Sequence, residues 1–312
     1  MSVIIAIDIG GTQLRVAVYP KDSTDPITIQ RAPTHGMEDG AYDRLTALID
    51  SVWPKEPVEA ISVAAPGPLN PYLGIIIETP NIPAWKNYPL AKMLTERYHV
   101  PTFLGNDANL AALGEWKYGA GVGHHDLVYL TISTGLGGAA ISNDVLVEGC
   151  RGMATELGHV TVLPGGPVCS CGVRGHLEAV AAGPAIAKYV SEKVAEGRAS
   201  SLQGATKLSA REVADAAKAG DELAREAFAR AGAFIGQATA DFLHIFNPSI
   251  VIFGGGVSLS GDLIMTPIQE SMRKNVMDPS YLDGLQIATA KLGDDAGLLG
   301  SLAQAHVRLA RH

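Results

Sequence analysis

Cys169-Ser170-Cys171, with His176 five residues on and His159 ten residues before, supplies four nitrogen and sulfur ligands of the kind that close a tetrahedral structural Zn²⁺ site. The other reading leaves Cys169 and Cys171 as free or redox-active thiols, with His176 a plain surface residue. Adding Cys150 gives three cysteines, an odd count with one very close pair, which is poor material for a secreted disulfide framework.

Three glycine-rich turns point to phosphate. Backbone N–H groups come close to phosphate oxygens only where side chains are absent, and phosphoryl transfer is mainly positioning and charge neutralisation. Asp8-Ile9-Gly10-Gly11-Thr12 sits at one turn, where the carboxylate can influence Mg²⁺ through water and Thr12 can donate to a phosphate. Arg15 can add positive charge. Taken alone, Gly10-Gly11 reads first as a hairpin closure, and the three turns together point to phosphate. The second turn runs through Thr134 and Gly135, and the third is Gly254-Gly255-Gly256. No G-x-x-x-x-G-K-[ST] occurs, and no strand enters a clean G-x-G-x-x-G with an acidic partner about 20 residues on, so P-loop and Rossmann readings lose ground.

The elements that must hold these turns are legible from apolar patterning. An apolar run at 3–9, the turn, and a β-branched run at 14–19 read as strand, turn, strand, and 127–133 with 139–141 repeat the plan. Further strands are expected at 59–64, 73–78, 102–104, 250–253 and 285–288, with helices at about 108–116, 222–246 and 296–311 and a loop at 196–207. Strands alternating with helices argue an α/β fold. The length, 312 residues, suggests two domains.

Bulk composition removes several classes of partner. A net charge of -8 with no dense basic run repels phosphate backbones and anionic lipid heads, so nucleic acid and membrane surfaces are not expected. The first ten residues carry no basic n-region, and no apolar run approaches the roughly 18 residues that span a bilayer, so the expected location is cytoplasmic.

Asp8-Ile9-Gly10-Gly11-Thr12, Asn106-Asp107, Glu156-Leu157-Gly158-His159 and the segment from Cys169 to Glu178, in this order, resemble the ROK family (repressors, ORFs, kinases) over essentially the whole chain. The resemblance implies a duplicated actin-like (RNase H-like) two-domain sugar kinase fold with an interdomain cleft that binds sugar, and use of MgATP. The small N-terminal domain is then expected at 1–116 plus about 298–312, and the large C-terminal domain with the zinc loop at 117–297. Family repressors carry a helix-turn-helix domain before the first turn, whereas seven residues precede Asp8 here, which favours the kinase branch.

By resemblance Asp107 is the carboxylate that accepts a sugar hydroxyl proton, and Asn106 hydrogen-bonds the sugar. A carboxylate is needed because a hydroxyl is a poor nucleophile near neutral pH. From local sequence alone, Asp107 reads as a helix N-cap just as well. Gly67, Asn81, Glu156, His159 and Glu178 match the family's sugar contacts, while Trp85 in Asn81-Ile82-Pro83-Ala84-Trp85 is read as packing. The family often has Gly where Thr155 stands, often Gly in place of Ala84, and normally a third Cys at 176, where histidine would turn a Cys₃His site into Cys₂His₂. The expected reaction is phosphorylation of a hexose 6-hydroxyl, glucose first. N-acetylhexosamine or fructose kinases on the same scaffold, and a non-enzymatic sugar sensor, are the rivals. The family also implies a homodimer or homotetramer.

Overall fold

The computed structural model describes residues 2–35, 40–79, 82–205 and 207–310. In chain order the described elements are β1 (Val3–Ile9), β2 (Gln13–Pro20), β3 (Thr28–Pro33), α1 (Ala41–Val52), β4 (Val58–Ala65), β5 (Leu69–Asn70), β6 (Ile75–Ile76), α2 (Leu90–Tyr98), β7 (Thr102–Asn106) and α3 (Asp107–Tyr118). They continue with β8 (Leu127–Ile132), β9 (Leu136–Ser142), β10 (Val145–Leu146), α4 (Leu177–Ala181), α5 (Gly183–Ala195), α6 (Ala210–Lys218) and α7 (Glu222–Phe246). The last are β11 (Ile250–Gly254), α8 (Asp262–Asn275), β12 (Gln286–Thr289) and α9 (Ala296–Leu309).

Two compact units emerge. One holds the residues before His124, the segment Leu146–Ala154 and the residues from Lys291 on; the other holds His124–Val145 and Thr155–Ala290. Each is built on a five-stranded sheet, ordered β3-β2-β1-β4-β7 in the first and β10-β9-β8-β11-β12 in the second. In both, a hairpin (β1 with β2, β8 with β9) is extended by two parallel strands (β4 and β7, β11 and β12). The repeated strand–turn–strand pattern in the sequence is thus a repeated sheet.

The first sheet is covered on both faces, which explains the unbroken apolar run of β1. Side chains alternate along a strand, so Val3, Ile5, Ile7 and Ile9 join the core with Leu45 and Ile49 of α1 and Leu90 and Leu94 of α2. Ile4 and Ala6 face the other way, onto Leu298, Leu302 and Ala305 of α9. By the same parity Asp8 lies on the α9 face, and a methyl group on Gly297 would stand 2.8 Å from its Cγ. Each fully buried aliphatic contributes about 1.5–3 kcal/mol, so a carboxylate ending such a run stands there against the burial gradient.

The strand expected at 73–78 shrinks to the two residues of β6, because Gly74 takes a φ of +66° and turns the chain just before it. The long helix is found as α7 with Asp221 capping its N-terminus: the Asp221 carboxylate accepts from Ala224 N–H at 3.0 Å. β3, α1 and α2 carry no motif and were not anticipated.

Candidate active site

In the first unit the expected residues collect at the carboxyl ends of the parallel strands, the usual ligand edge of such sheets. Register pairs Asp8 with Ala64 on β4, and Ala65 with Asn106 on β7. The turn Gly10-Gly11-Thr12 closes the β1–β2 hairpin through a Gly10 N–H to Gln13 carbonyl bond of 2.9 Å. Asp8 pairs across that hairpin with Arg15, whose Nη1 lies 3.7 Å from the Asp8 carboxylate. Burial pushes the Asp8 carboxyl up to about 6, Arg15 opposes that shift, and Asp294 reinforces it. Arg15 itself is buried and committed: Nη2 lies 2.6 Å from the Asp295 carboxylate and Nη1 donates to the Asp294 carbonyl.

Asn106 and Asp107 divide the work at the start of α3. The Asn106 side-chain oxygen is the N-cap, accepting from Ala108 N–H at 2.9 Å and Asn109 N–H at 3.2 Å. Asp107 therefore occupies the first helical turn with its side chain exposed, where the helix dipole favours negative charge. Its Oδ1 also lies 2.8 Å from Ala108 N–H. Gly67 belongs to the same corner, since a methyl there would stand 3.0 Å from Asn106 Nδ2. Trp85 is buried and stacks on Tyr88 with ring centroids 5.1 Å apart. Asn81 lies outside the described residues.

In the second unit, the turns after β8 and β11 lie side by side, with Gly254 registered against Thr131. Gly255 has a φ of +82°, and a methyl on it would come 2.3 Å from the Ile132 carbonyl oxygen, so no other residue allows this approach. Thr134 and Gly256 line a cavity of about 670 Å³. Gly135, Gly254 and Gly255 are not among its lining residues. The lining also holds residues that no motif marks: Gly183 and Pro184 at the start of α5, Ser209, Ala210 and Arg211 at the start of α6, and Leu259. Two helix N-termini thus open on the cavity, an arrangement suited to an anionic ligand. Signals for both were present, as Pro at the first helical positions and as the Ser209–Glu212 capping box.

Glu156, His159 and Glu178 also lie in this unit. Glu156 is exposed at the head of a short 3₁₀ turn, Leu157–His159, with His159 N–H bonded to the Glu156 carbonyl at 2.9 Å. Thr155, just before it, has a φ of +64°, a strained conformation for a β-branched residue. Glu178 accepts from Ser170 Oγ at 2.7 Å through one oxygen and from Leu136 N–H at 3.2 Å through the other, tying the cysteine loop to the second glycine turn. Ser170 was also missed by motif reading.

The four proposed metal ligands come together. His159 Nδ1 lies 3.3 Å from His176 Nδ1 and 3.6 Å from Cys169 Sγ, and Cys171 Sγ lies 3.3 Å from His176 Nδ1. All four donor atoms fall within 4.8 Å of one another. A tetrahedral zinc with ordinary bond lengths needs N–N edges of about 3.3 Å, N–S edges of about 3.6 Å and an S–S edge of about 3.8 Å, so the chemistry and the three closest pairs suit the ion, while the widest separation would have to contract by about 1 Å on binding. Cys169 and His176 are buried. Burial pushes the Cys169 thiol up, and a bound cation would reverse that preference.

With this geometry in view, likeness to known proteins has a physical content. The model of the ROK family matches residues 4–308, and the chain belongs to that family. A glucokinase of Thermotoga maritima is 37% identical over 304 residues, covering 96% of this chain and 95% of its own. A ROK hexokinase structure from Thermus thermophilus superposes with a TM-score of 0.84 at 33% identity, covering 99% of this chain and 100% of that one. A ROK glucokinase from Streptomyces griseus, solved with glucose and AMPPNP, gives 0.81 at 32% identity, covering 98% and 99%. The fold is accordingly the actin-like two-domain α/β fold of ROK sugar kinases. Among the described residues no helix is long and apolar enough to cross a membrane.

Proposed function

We propose that this chain transfers the γ-phosphoryl group of ATP to the 6-hydroxyl of a hexose, with glucose as the preferred acceptor. The observation that carries the reading is the division of labour at α3: Asn106 caps the helix and leaves the Asp107 carboxylate exposed beside it. Asp107 accepts the 6-hydroxyl proton as that oxygen bonds to the γ-phosphorus. The bond from phosphorus to the β,γ-bridging oxygen breaks, and ADP leaves.

The other residues hold the two substrates. Gly67, Asn106, Glu156, Glu178 and His159 bind the sugar, His159 through Nε2 because its Nδ1 faces the cysteine cluster. The cavity lined by Thr134 and Gly256 takes the adenosine and first phosphate of ATP, with that phosphate toward the N-termini of α5 and α6, and the Gly10–Thr12 turn takes the terminal phosphates. Asp8 would hold Mg²⁺ through water, and the metal's charge would neutralise the phosphates. His159, Cys169, Cys171 and His176 would hold a zinc ion that crosslinks the loop bearing Glu156 and Glu178. A reaction fed by ATP points to the cytoplasm.

The test is a coupled assay of ADP release with glucose, mannose, fructose, N-acetylglucosamine and N-acetylmannosamine. Glucose is expected to give the highest kcat/KM. Asp107→Asn is expected to lose at least about 10³-fold in kcat while glucose binding holds. Near-normal turnover in that variant removes Asp107 from the role, and sugar binding without ADP release in the wild type favours a sensor.

A further inference from the structure

Thr34 carries none of the motifs, yet it is fully buried directly behind the first glycine turn, at 0% exposure. It grips the turn at two points. Its Oγ1 donates to the Gly10 carbonyl at 2.6 Å, and its N–H donates to the Thr12 carbonyl at 2.9 Å. Its own carbonyl accepts from Arg44 Nη2 at 2.6 Å, which anchors it to α1.

The bond to Gly10 has a directional consequence. In a planar trans peptide, as between Gly10 and Gly11, the carbonyl and the following N–H point to opposite sides. Drawing the Gly10 carbonyl inward to Thr34 therefore turns the Gly11 N–H outward, to the exposed side of the turn. The Gly10 N–H is already taken by Gln13, so the Gly11 amide is the one whose aim depends on the Thr34 hydroxyl.

We infer that Thr34 is a positioning residue for the nucleotide: its hydroxyl sets the Gly11 N–H as a donor to the terminal phosphates of ATP without touching them. The inference rests on the kinase reading above. Thr34→Val keeps the shape and loses the donor; the Gly10 carbonyl is released and the Gly11 amide loses its fixed direction. Thr34→Ser keeps the donor.

The experiment compares binding of AMPPNP and of AMP, which lacks the terminal phosphates, by calorimetry on the full chain, together with KM for ATP and for glucose. Thr34→Val is expected to weaken AMPPNP and to raise KM for ATP by about 10-fold to 100-fold, the effect of one misdirected bond to a charged group. AMP affinity and KM for glucose should hold, and Thr34→Ser should restore AMPPNP binding. If Thr34→Val does not melt cooperatively, Thr34→Ala carries the same comparison. Parallel loss of AMPPNP and AMP, no change in either, or a serine variant as weak as valine would overturn the assignment. A wild type that phosphorylates no hexose would instead defeat the kinase reading, and the AMPPNP-to-AMP contrast would still decide the role of Thr34.

Discussion

Asp8 is held at a cost to stability, and replacing it with asparagine should reveal that cost. In the folded chain its carboxyl titrates at about 6 against 3.8 ordinarily, with burial as the main cause. From about pH 4 to about pH 6 the folded state therefore binds a proton that the unfolded state has released, so stability falls as pH rises through that window. Above it the full deficit is present. About two pH units at 1.36 kcal/mol each make about 3 kcal/mol. The neutral amide of Asp8→Asn would carry no such deficit, although it forgoes the attraction of Arg15, whose Nη1 stands 3.7 Å from the native carboxylate. The variant should thus be more stable than the wild type at pH 8 by up to about 3 kcal/mol, with about half of that difference left at pH 5, and the two should converge as pH falls to about 4. Urea titrations at these pH values, without nucleotide or Mg²⁺, read this, and the variant-minus-wild-type difference cancels the other titrating groups. In the proposed reaction, where Asp8 would hold Mg²⁺ through water, the same variant should lose at least about 100-fold in turnover, because such a carboxylate acts through its charge. An Asp8→Asn protein that is less stable at pH 8, or a difference independent of pH, would refute the account of a buried, poorly compensated charge.

Two other sites give simpler tests. Thr155 sits at a φ of +64°, so Thr155→Gly should raise stability by about 1 kcal/mol, strain of about 1–3 kcal/mol being relieved against a glycine entropy penalty of about 1; a urea midpoint that falls counts against strain there. Cys169→Ser should drop bound zinc, measured by elemental analysis, from about one per chain toward zero and lower the melting temperature, as loss of a closed tetrahedral site requires. A wild type purified metal-free and equally stable would remove the metal.

Much of the frame was legible because its causes are local. The apolar run of β1, its repetition at β8, the full extent of α7 and the strand ahead of Gly254 follow from which residues are apolar and where glycine interrupts them. β3 is half-exposed and gives no alternation to read, and α2 lacks a capping side chain, whereas α1 does carry a helical stripe at Ala41, Leu45, Leu48, Ile49 and Val52 that periodicity could have found, and α8 likewise stands outside the expected elements. The 73–78 run shows the limit plainly: its apolar residues suggested a strand, but the left-handed turn at Gly74 and pairing with β5 leave two residues. Ser170 and Thr34 escaped notice for a related reason, because a lone hydroxyl has no pattern until its acceptor is known.

The sequence by itself determined the kinds of chemistry on offer: a carboxylate after an asparagine at a strand-to-helix junction, glycine turns after apolar strands, and two cysteines with two histidines. Those are statements about residue type and spacing, and both are set along the chain. Which groups are placed to act was decided by tertiary contacts. Packing bound Arg15 to Asp295, brought four donor atoms within 4.8 Å, and set Thr34 behind Gly10. Hydrogen bonds and burial depend on what stands opposite in space, and residues far apart in the chain supply it.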